Sequence, residues 1–160
     1  RFPRNPRALL NLALLRLQLG DTGMGGRILS DAAVVTDQIM PNSAVACRVY
    51  LSMGSFLIEQ DLNDEATEAY RKAVKADSLN AQAHARLGFM ETNHIPTIES
   101  GLEHIDRALE LDPTGRTLGD LTDQIIDLKQ RAIDYLREEG LHPQSAGDST
   151  LLKESYGASE

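Results

Sequence analysis

The sequence is poor in aromatic residues and in cysteine. Phe, Tyr and Trp together make up 4% of its 160 residues, and Trp is absent. An interior with few large rings has to be built from aliphatic and alanine side chains, which suits helices whose axes approach within roughly 8–10 Å. Cys47 is the single cysteine, so an intrachain disulfide is excluded. We expect Cys47 to be a small buried hydrophobic residue.

Long apolar runs and an excess of positive charge are also lacking. No apolar run approaches ~18 residues, so the sequence predicts no membrane-spanning helix. The formal net charge is -8 and the pI is about 5.0, which argues against nucleic acid or an anionic membrane as a partner. The chain begins with Arg1 rather than Met and shows no signal peptide, so we expect a processed or excised segment. Its cellular compartment is not indicated.

Residues 47–113 contain one pattern written twice. Four positions recur 34 residues later: Tyr50, Met53, Gly54 and Leu57 correspond to His84, Leu87, Gly88 and Glu91. Four more recur 35 residues later: Ala66, Tyr70, Ala73 and Ser78 correspond to Gly101, Ile105, Ala108 and Pro113. A period of this length, with small residues between large apolar ones, indicates a stacked two-helix repeat.

This stretch resembles the tetratricopeptide repeat family, and the run from Ala108 to Pro113 matches the end of the family consensus. The resemblance implies an all-α fold, an α-solenoid of about three helix–turn–helix repeats with a C-terminal capping helix. We expect an extended lead-in at 1–5, a solenoid at 6–139 and a low-complexity tail at 140–160. The repeats are expected at about 6–41, 43–78 and 81–113, the first of them degenerate. The third repeat should have helices at 81–92 and 98–111, and an apolar stripe predicts the capping helix at about 117–139: Leu121, Ile125, Leu128, Ala132 and Tyr135.

The first repeat contains a glycine-rich stretch at 20–27. Gly20 to Asp61 spans 41 residues, whereas Pro41 to Ser78 spans 37, so we expect an enlarged turn with about four extra residues. A phosphate-binding loop is excluded, because Gly26 and Arg27 stand where Lys and Ser or Thr are needed and no strand precedes them.

Residue patterns for metal binding or catalysis are incomplete. The four histidines form no i,i+4 pair and no cysteine pair accompanies them, so we expect no metal site. We expect His84 to be a hydrogen-bonded imidazole in the core or at its rim. The acidic turn at 61–65 resembles the start of a calcium loop, but Ala66 stands where a glycine is required. No serine has the setting of a nucleophile elbow. We therefore expect a protein that is not an enzyme and needs no cofactor.

The family resemblance implies that the first helix of each pair lines a concave surface that holds a peptide or a helix of another protein. The residues opposite the packing stripes are the candidates, and ordinary surface residues are the alternative interpretation. The candidate protein-binding residues are Arg48, Leu51, Ser55, Gln82, Arg86, Phe89, Asn93, Leu10 and Leu14. Family members that grip a chaperone's C-terminal carboxylate use a set of Lys, Asn and Arg, of which only Arg86 is matched. We do not expect that activity.

Three function classes remain open. The first is a non-catalytic adaptor that binds a peptide or helix in the groove. The second is a structural subunit of a larger complex, held through the apolar helix at 7–19 and through tail anchors at Leu151, Leu152 and Tyr156. The third is an accessory domain cut from a larger enzyme or transport machine.

Overall fold

A computed structural model describes residues 5–141, and these residues contain seven α-helices, one short 3-10 helix and no strand. The helices are α1 (Pro6–Gln18), α2 (Thr22–Ile39), α3 (Ala44–Glu59), α4 (Asn63–Ala76), α5 (Ala81–Thr92), α6 (Ile98–Leu111) and α7 (Leu121–Glu138), with the 3-10 helix at Ile95–Thr97. The prediction of an all-α helical repeat fold is confirmed. Most of the lead-in and of the tail, including Leu151, Leu152 and Tyr156, lies outside the described residues.

The helices form two compact units. The first contains the residues up to Ala83 and the second contains the residues from His84 onward, so the division falls inside α5. In the first unit α1 packs on α2, α3 packs on α4, and α3 also contacts both α1 and α2. In the second unit α6 packs on α7.

Side-chain caps begin three helices of the first unit. The side-chain oxygen of Asn5 accepts the backbone N–H of Arg7 at 3.0 Å, ahead of Pro6 in the first helical position. The hydroxyl oxygen of Ser43 accepts the N–H of Ala46 at 3.1 Å and so begins α3. Each cap satisfies an amide that has no partner inside the helix, which is why the chain enters helices at these residues.

The enlarged turn predicted at 20–27 is wrong, because α2 begins at Thr22 and takes in the glycines. The helix has 18 residues against 14 in α4, so the four extra residues lengthen it. The Asp21 carboxylate caps this helix by accepting the N–H of Met24 at 3.2 Å.

Gly25 and Gly26 are needed in α2 for close packing rather than for a turn. A Cβ atom added to Gly25 would lie 2.6 Å from Cδ2 of Leu17, and one added to Gly26 would lie 2.6 Å from Cζ of Phe56. Both distances are shorter than any van der Waals contact. The sequence pattern suggested a loop because glycine usually breaks helices, and here tertiary contact decides instead.

The core of the first unit is aliphatic and rich in alanine, as the composition predicts. Its buried residues come from all four helices and include Leu10, Ala13, Leu29, Ala32, Ala46, Val49 and Ala73. Cys47 is fully buried among them, and burial together with the nearby charge of Asp77 raises the pKa of its thiol to about 11. The thiol is protonated at neutral pH, so Cys47 acts as a small hydrophobic residue, as predicted.

Two glycines allow the paired helices to cross closely. A Cβ atom added to Gly54 on α3 would lie 2.4 Å from Cε1 of Tyr70 on α4. A Cβ atom added to Gly88 on α5 would lie 2.9 Å both from the carbonyl oxygen of Gly101 and from Cγ1 of Ile105 on α6. The glycine at this position therefore contacts the second helix in both repeats, as the 34-residue correspondence predicts.

The second unit is closed by α7. Ile98 and Leu102 of α6 pack with Ala132, Ile133 and Leu136 of α7 in one buried cluster. Four residues of the predicted stripe are buried, namely Leu121, Ile125, Leu128 and Ala132. Tyr135 is half-buried, and its neighbour Leu136 is the fully buried residue at that end of the helix.

Asp112 organises the loop that leads into α7. Its carboxylate accepts the backbone N–H groups of Arg116 at 3.1 Å, Thr117 at 2.7 Å and Leu118 at 2.9 Å. Burial acts to raise the pKa of Asp112, but these three amides and the hydroxyl of Thr114 outweigh it, so the pKa lies below its usual value of 3.8. Because the loop is fixed in this way, α7 begins at Leu121 and not near 117.

We expect Asp112→Asn to lower the thermal midpoint at pH 7, because an amide accepts the three N–H groups more weakly than a carboxylate. The carboxylate's pKa is depressed in the folded state, so its stabilising effect is present above 3.8 and is lost as the pH falls through the folded value. The difference between wild type and variant should therefore shrink on acidification.

Asp120→Asn is the matched control, because Asp120 is exposed and makes no side-chain cap bond to α7. An equal loss in both variants, or a difference that does not change with pH, would contradict the assigned role of Asp112. Thermal unfolding followed by circular dichroism at several pH values makes the measurement.

Two glycine-to-alanine changes should have opposite effects on stability. Gly88→Ala should cost roughly 1–3 kcal/mol, because its methyl group would press on backbone atoms that cannot rotate away. Gly23→Ala should stabilise the protein by up to about 1 kcal/mol, because Gly23 lies in α2 with nothing within 4 Å of its added Cβ. Urea unfolding of both variants measures the change in the free energy of unfolding. A neutral Gly88→Ala would show that α5 and α6 do not cross at this point.

Candidate functional site

One face of α3 offers both polar and apolar groups. Arg48 and Ser55 are exposed, and Leu51 and Ser52 between them are half-buried. Positions 48, 51, 52 and 55 follow helical spacing and so share one face. The hydroxyl of Ser55 lies 3.4 Å from the hydroxyl of Tyr70, so Ser55 is partly engaged within its own repeat.

The two candidate leucines of α1 differ in burial. Leu10 is 1% exposed and belongs to the core of the first unit, so the structure does not place it on a surface that a partner can reach. Leu14 is half-buried at the edge of the same core, as is Leu51 of α3. Sequence spacing alone could not separate them, because apolar residues nearly encircle α1.

The α5 face carries the remaining candidates. Gln82, Phe89 and Asn93 are exposed and Arg86 is half-buried. The side-chain amide of Asn93 donates to the carbonyl oxygen of Phe89 at 2.8 Å, so Asn93 satisfies the end of its own helix. Ala85, whose position falls on the same predicted face, is fully buried. The α5 face therefore presents an aromatic ring and a guanidinium group three residues apart.

Inside the second unit, a buried polar cluster joins α5 to α6. The Nδ1 atoms of His84 and His104 lie 3.0 Å apart, so one ring donates the hydrogen and the other accepts it. Nε2 of His104 lies 3.8 Å from the carboxylate of Glu91, which accepts the hydroxyl of Ser100 at 2.7 Å. His84 is thus a hydrogen-bonded core imidazole, as predicted.

The repeat pattern contained a signal for this cluster. His84 and Glu91 occupy the positions of Tyr50 and Leu57 in the preceding copy, so two polar groups replace apolar ones in a packing stripe. Buried polar groups need partners, and His104 provides one. Within residues 5–141 no group of three or more His, Cys, Asp or Glu side chains is arranged to hold a metal ion.

The sequence of residues 48–78 matches the tetratricopeptide repeat family. These residues form a tetratricopeptide repeat. The repeat consists of α3 and α4, with Gly54 and Tyr70 at the crossing of the two helices. The resemblance to this family is confirmed there. No curated protein matches the sequence.

Solved structures of MamA, a protein with tetratricopeptide repeats, share the fold. One crystal structure of MamA is 17% identical, with a TM-score of 0.57, and the match covers 87% of this chain and 82% of that chain. The structure of MamA from residue 41 to its end, from Desulfovibrio magneticus RS-1, is 16% identical, with a TM-score of 0.54 over 86% of this chain and 78% of that chain. At such identities the likeness establishes the helical repeat fold alone.

The tetratricopeptide repeat is a protein-interaction scaffold in general, which agrees with the partner class predicted from the sequence. In the repeat at 48–78 the first helix is α3, which carries Arg48, Leu51, Ser52 and Ser55. None of the helices in the described part of the chain is both long and apolar enough to cross a membrane.

Proposed function

We propose that this protein is a non-catalytic scaffold that binds a peptide or a helix of another protein through the first helices of its repeats. The proposed binding residues of α1 and α3 are Leu14, Arg48, Leu51 and Ser55, and those on α5 and directly after it are Gln82, Arg86, Phe89 and Asn93. The net charge of -8 disfavours nucleic acid as the partner.

The observation that carries this proposal is the pair Arg86 and Phe89. Phe89 keeps 37% of its surface exposed in a chain with only three phenylalanines. The exposed part of the ring is available to a partner, and an aromatic beside an arginine is a frequent anchor of protein interfaces. Residues three apart on a helix emerge on the same face, so one partner segment can contact both.

The α3 face supports the same interpretation independently. Leu51 gives an apolar contact while Arg48 gives a positive charge on the same face. Each face therefore combines one large apolar side chain with one arginine. The chemistry that fits both is a segment in which apolar residues alternate with carboxylates.

We expect Arg86→Ala with Phe89→Ala to weaken binding of the native partner by at least about 30-fold, which corresponds to about 2 kcal/mol. The partner is first identified by affinity purification of the native protein and mass spectrometry, and its affinity is then measured with purified proteins. Helical content should not change, because both side chains reach the surface.

The matched control is Ile95→Ala with Arg107→Ala, which removes an exposed apolar residue and an exposed arginine from the same unit but outside α5. Arg107 pairs with Glu110 on its own helix, and an exposed pair of this kind contributes little to stability. Equal losses of affinity in the two double variants would contradict the proposed role of α5.

A structural subunit is the second candidate, favoured by the outer face of α1. Leu15 is 51% exposed and Leu19 is 71% exposed, four residues further along the chain. Residues four apart on a helix are neighbours, so a partner that covers one of these leucines also covers the other.

Leu15→Lys with Leu19→Lys separates the two candidates. It should leave the affinity of the partner unchanged if binding lies on the faces that carry Leu14, Leu51 and Phe89, and abolish it if the interface is the exposed surface at Leu15 and Leu19. These positions are preferable to Leu10, whose burial means that a charged residue there would unfold the first unit.

A further inference from the structure

The first unit has a groove between α2 and α4. It has a volume of about 410 Å³, with α2 and α4 as its walls and α3 as its floor. The lining residues are Ser30, Ala33, Val34, Asp37, Tyr50, Met53, Leu57, Glu65, Glu68, Ala69 and Lys72. None of the residues proposed for the first-helix faces lines this groove.

The floor of the groove is apolar and only partly covered. Met53 and Leu57 of α3 are half-buried, and small residues flank them on the walls, Ala33 on α2 and Ala69 on α4. Because these wall residues are alanines, their short side chains leave the floor partly uncovered. Val34 stands at the edge of the groove with 57% of its surface exposed.

The rim of the groove is acidic. Asp37, Glu65 and Glu68 contribute three negative charges and Lys72 one positive charge, a net of -2 from these four residues. Glu68 is also paired with Arg71 at 3.6 Å, but both groups are well exposed, so water screens this pair strongly.

The position of Lys72 indicates that the rim favours a positively charged group. Its Nζ lies 5.5 Å from the centre of the Tyr50 ring, within the range of a cation–π contact. The hydroxyl of Tyr50 donates to the Asp37 carboxylate. The ring that Lys72 approaches is therefore itself hydrogen-bonded to a carboxylate of the rim.

We propose that this groove is a second docking site, and that it binds a segment of another protein in which a large aliphatic side chain is flanked by lysine or arginine. The aliphatic side chain would cover Met53 and Leu57, and the flanking cations would meet the carboxylates of the rim. The charge of this ligand is opposite to that of the segment expected on the first-helix faces, so the two sites select different partners.

The probe is a short synthetic peptide of alternating leucine and lysine, labelled with a fluorophore and titrated with the purified chain. Two matched peptides accompany it, one with serine in place of leucine and one with glutamate in place of lysine. We expect saturable binding of the leucine–lysine peptide alone, because the site requires both apolar contact and positive charge. Equal binding of the serine–lysine peptide would overturn the proposal, since it would show only general attraction to an acidic protein.

Two variants locate the site, and each has a matched control. Glu65→Lys with Glu68→Lys reverses the rim, and its control is Glu103→Lys with Glu138→Lys, which changes the net charge equally at exposed positions of the other unit. Val34→Lys charges the wall, and its control is Ile39→Lys, since Ile39 is 54% exposed on the same helix but does not line the groove.

We expect the rim and wall variants each to lower the affinity for the leucine–lysine peptide on the order of tenfold, and the control variants to bind it about as tightly as wild type. Equal losses in the controls would overturn the proposal. Sedimentation of the wild type tests a second copy of the chain as the occupant. Self-association that the rim variant abolishes would assign the groove to that copy and overturn the proposal of a separate partner.

Discussion

The close crossing of two helices at a glycine is the contact on which each intact repeat depends. At Gly54 the ring of Tyr70 lies where a side chain would otherwise begin, and at Gly88 the backbone of α6 itself occupies that space. Helices that approach this closely can fill their interior with alanine, valine and leucine. This explains how a chain with few aromatics and no tryptophan still buries an aliphatic core in its first unit.

The same packing decides which side chains are left for binding. Gly54 of α3 and Gly88 of α5 face the second helix of their repeats, and the same helices keep Arg48, Leu51, Arg86 and Phe89 at least partly exposed. In the first unit, Ala33 of α2 and Ala69 of α4 leave a groove above α3. The first-helix faces carry arginine and the groove carries carboxylates, so they favour ligands of opposite charge.

Periodicity predicted much of this structure, because each repeat copies its neighbour. The bounds predicted for α5 and α6 agree with the structure, and so does the close packing at Gly54 and Gly88. Contacts that are not periodic escaped prediction. The glycines of α2 are helical because Leu17 and Phe56 pack on them. The burial of Leu10 could not be predicted, because apolar residues nearly encircle α1. The hydrogen bond between His104 and His84 joins residues 20 positions apart, and no repeat pattern in the sequence predicts it.

A double-mutant cycle between Gly54 and Tyr70 tests the central claim most directly. Urea unfolding is measured for the wild type, Gly54→Ala, Tyr70→Leu and the double variant. If the ring of Tyr70 rests on Gly54, the added methyl group should cost at least about 1 kcal/mol less in the Tyr70→Leu background, where the clashing ring atoms are gone. Costs that simply add would show that the two residues do not touch, and would contradict a repeat built on this crossing.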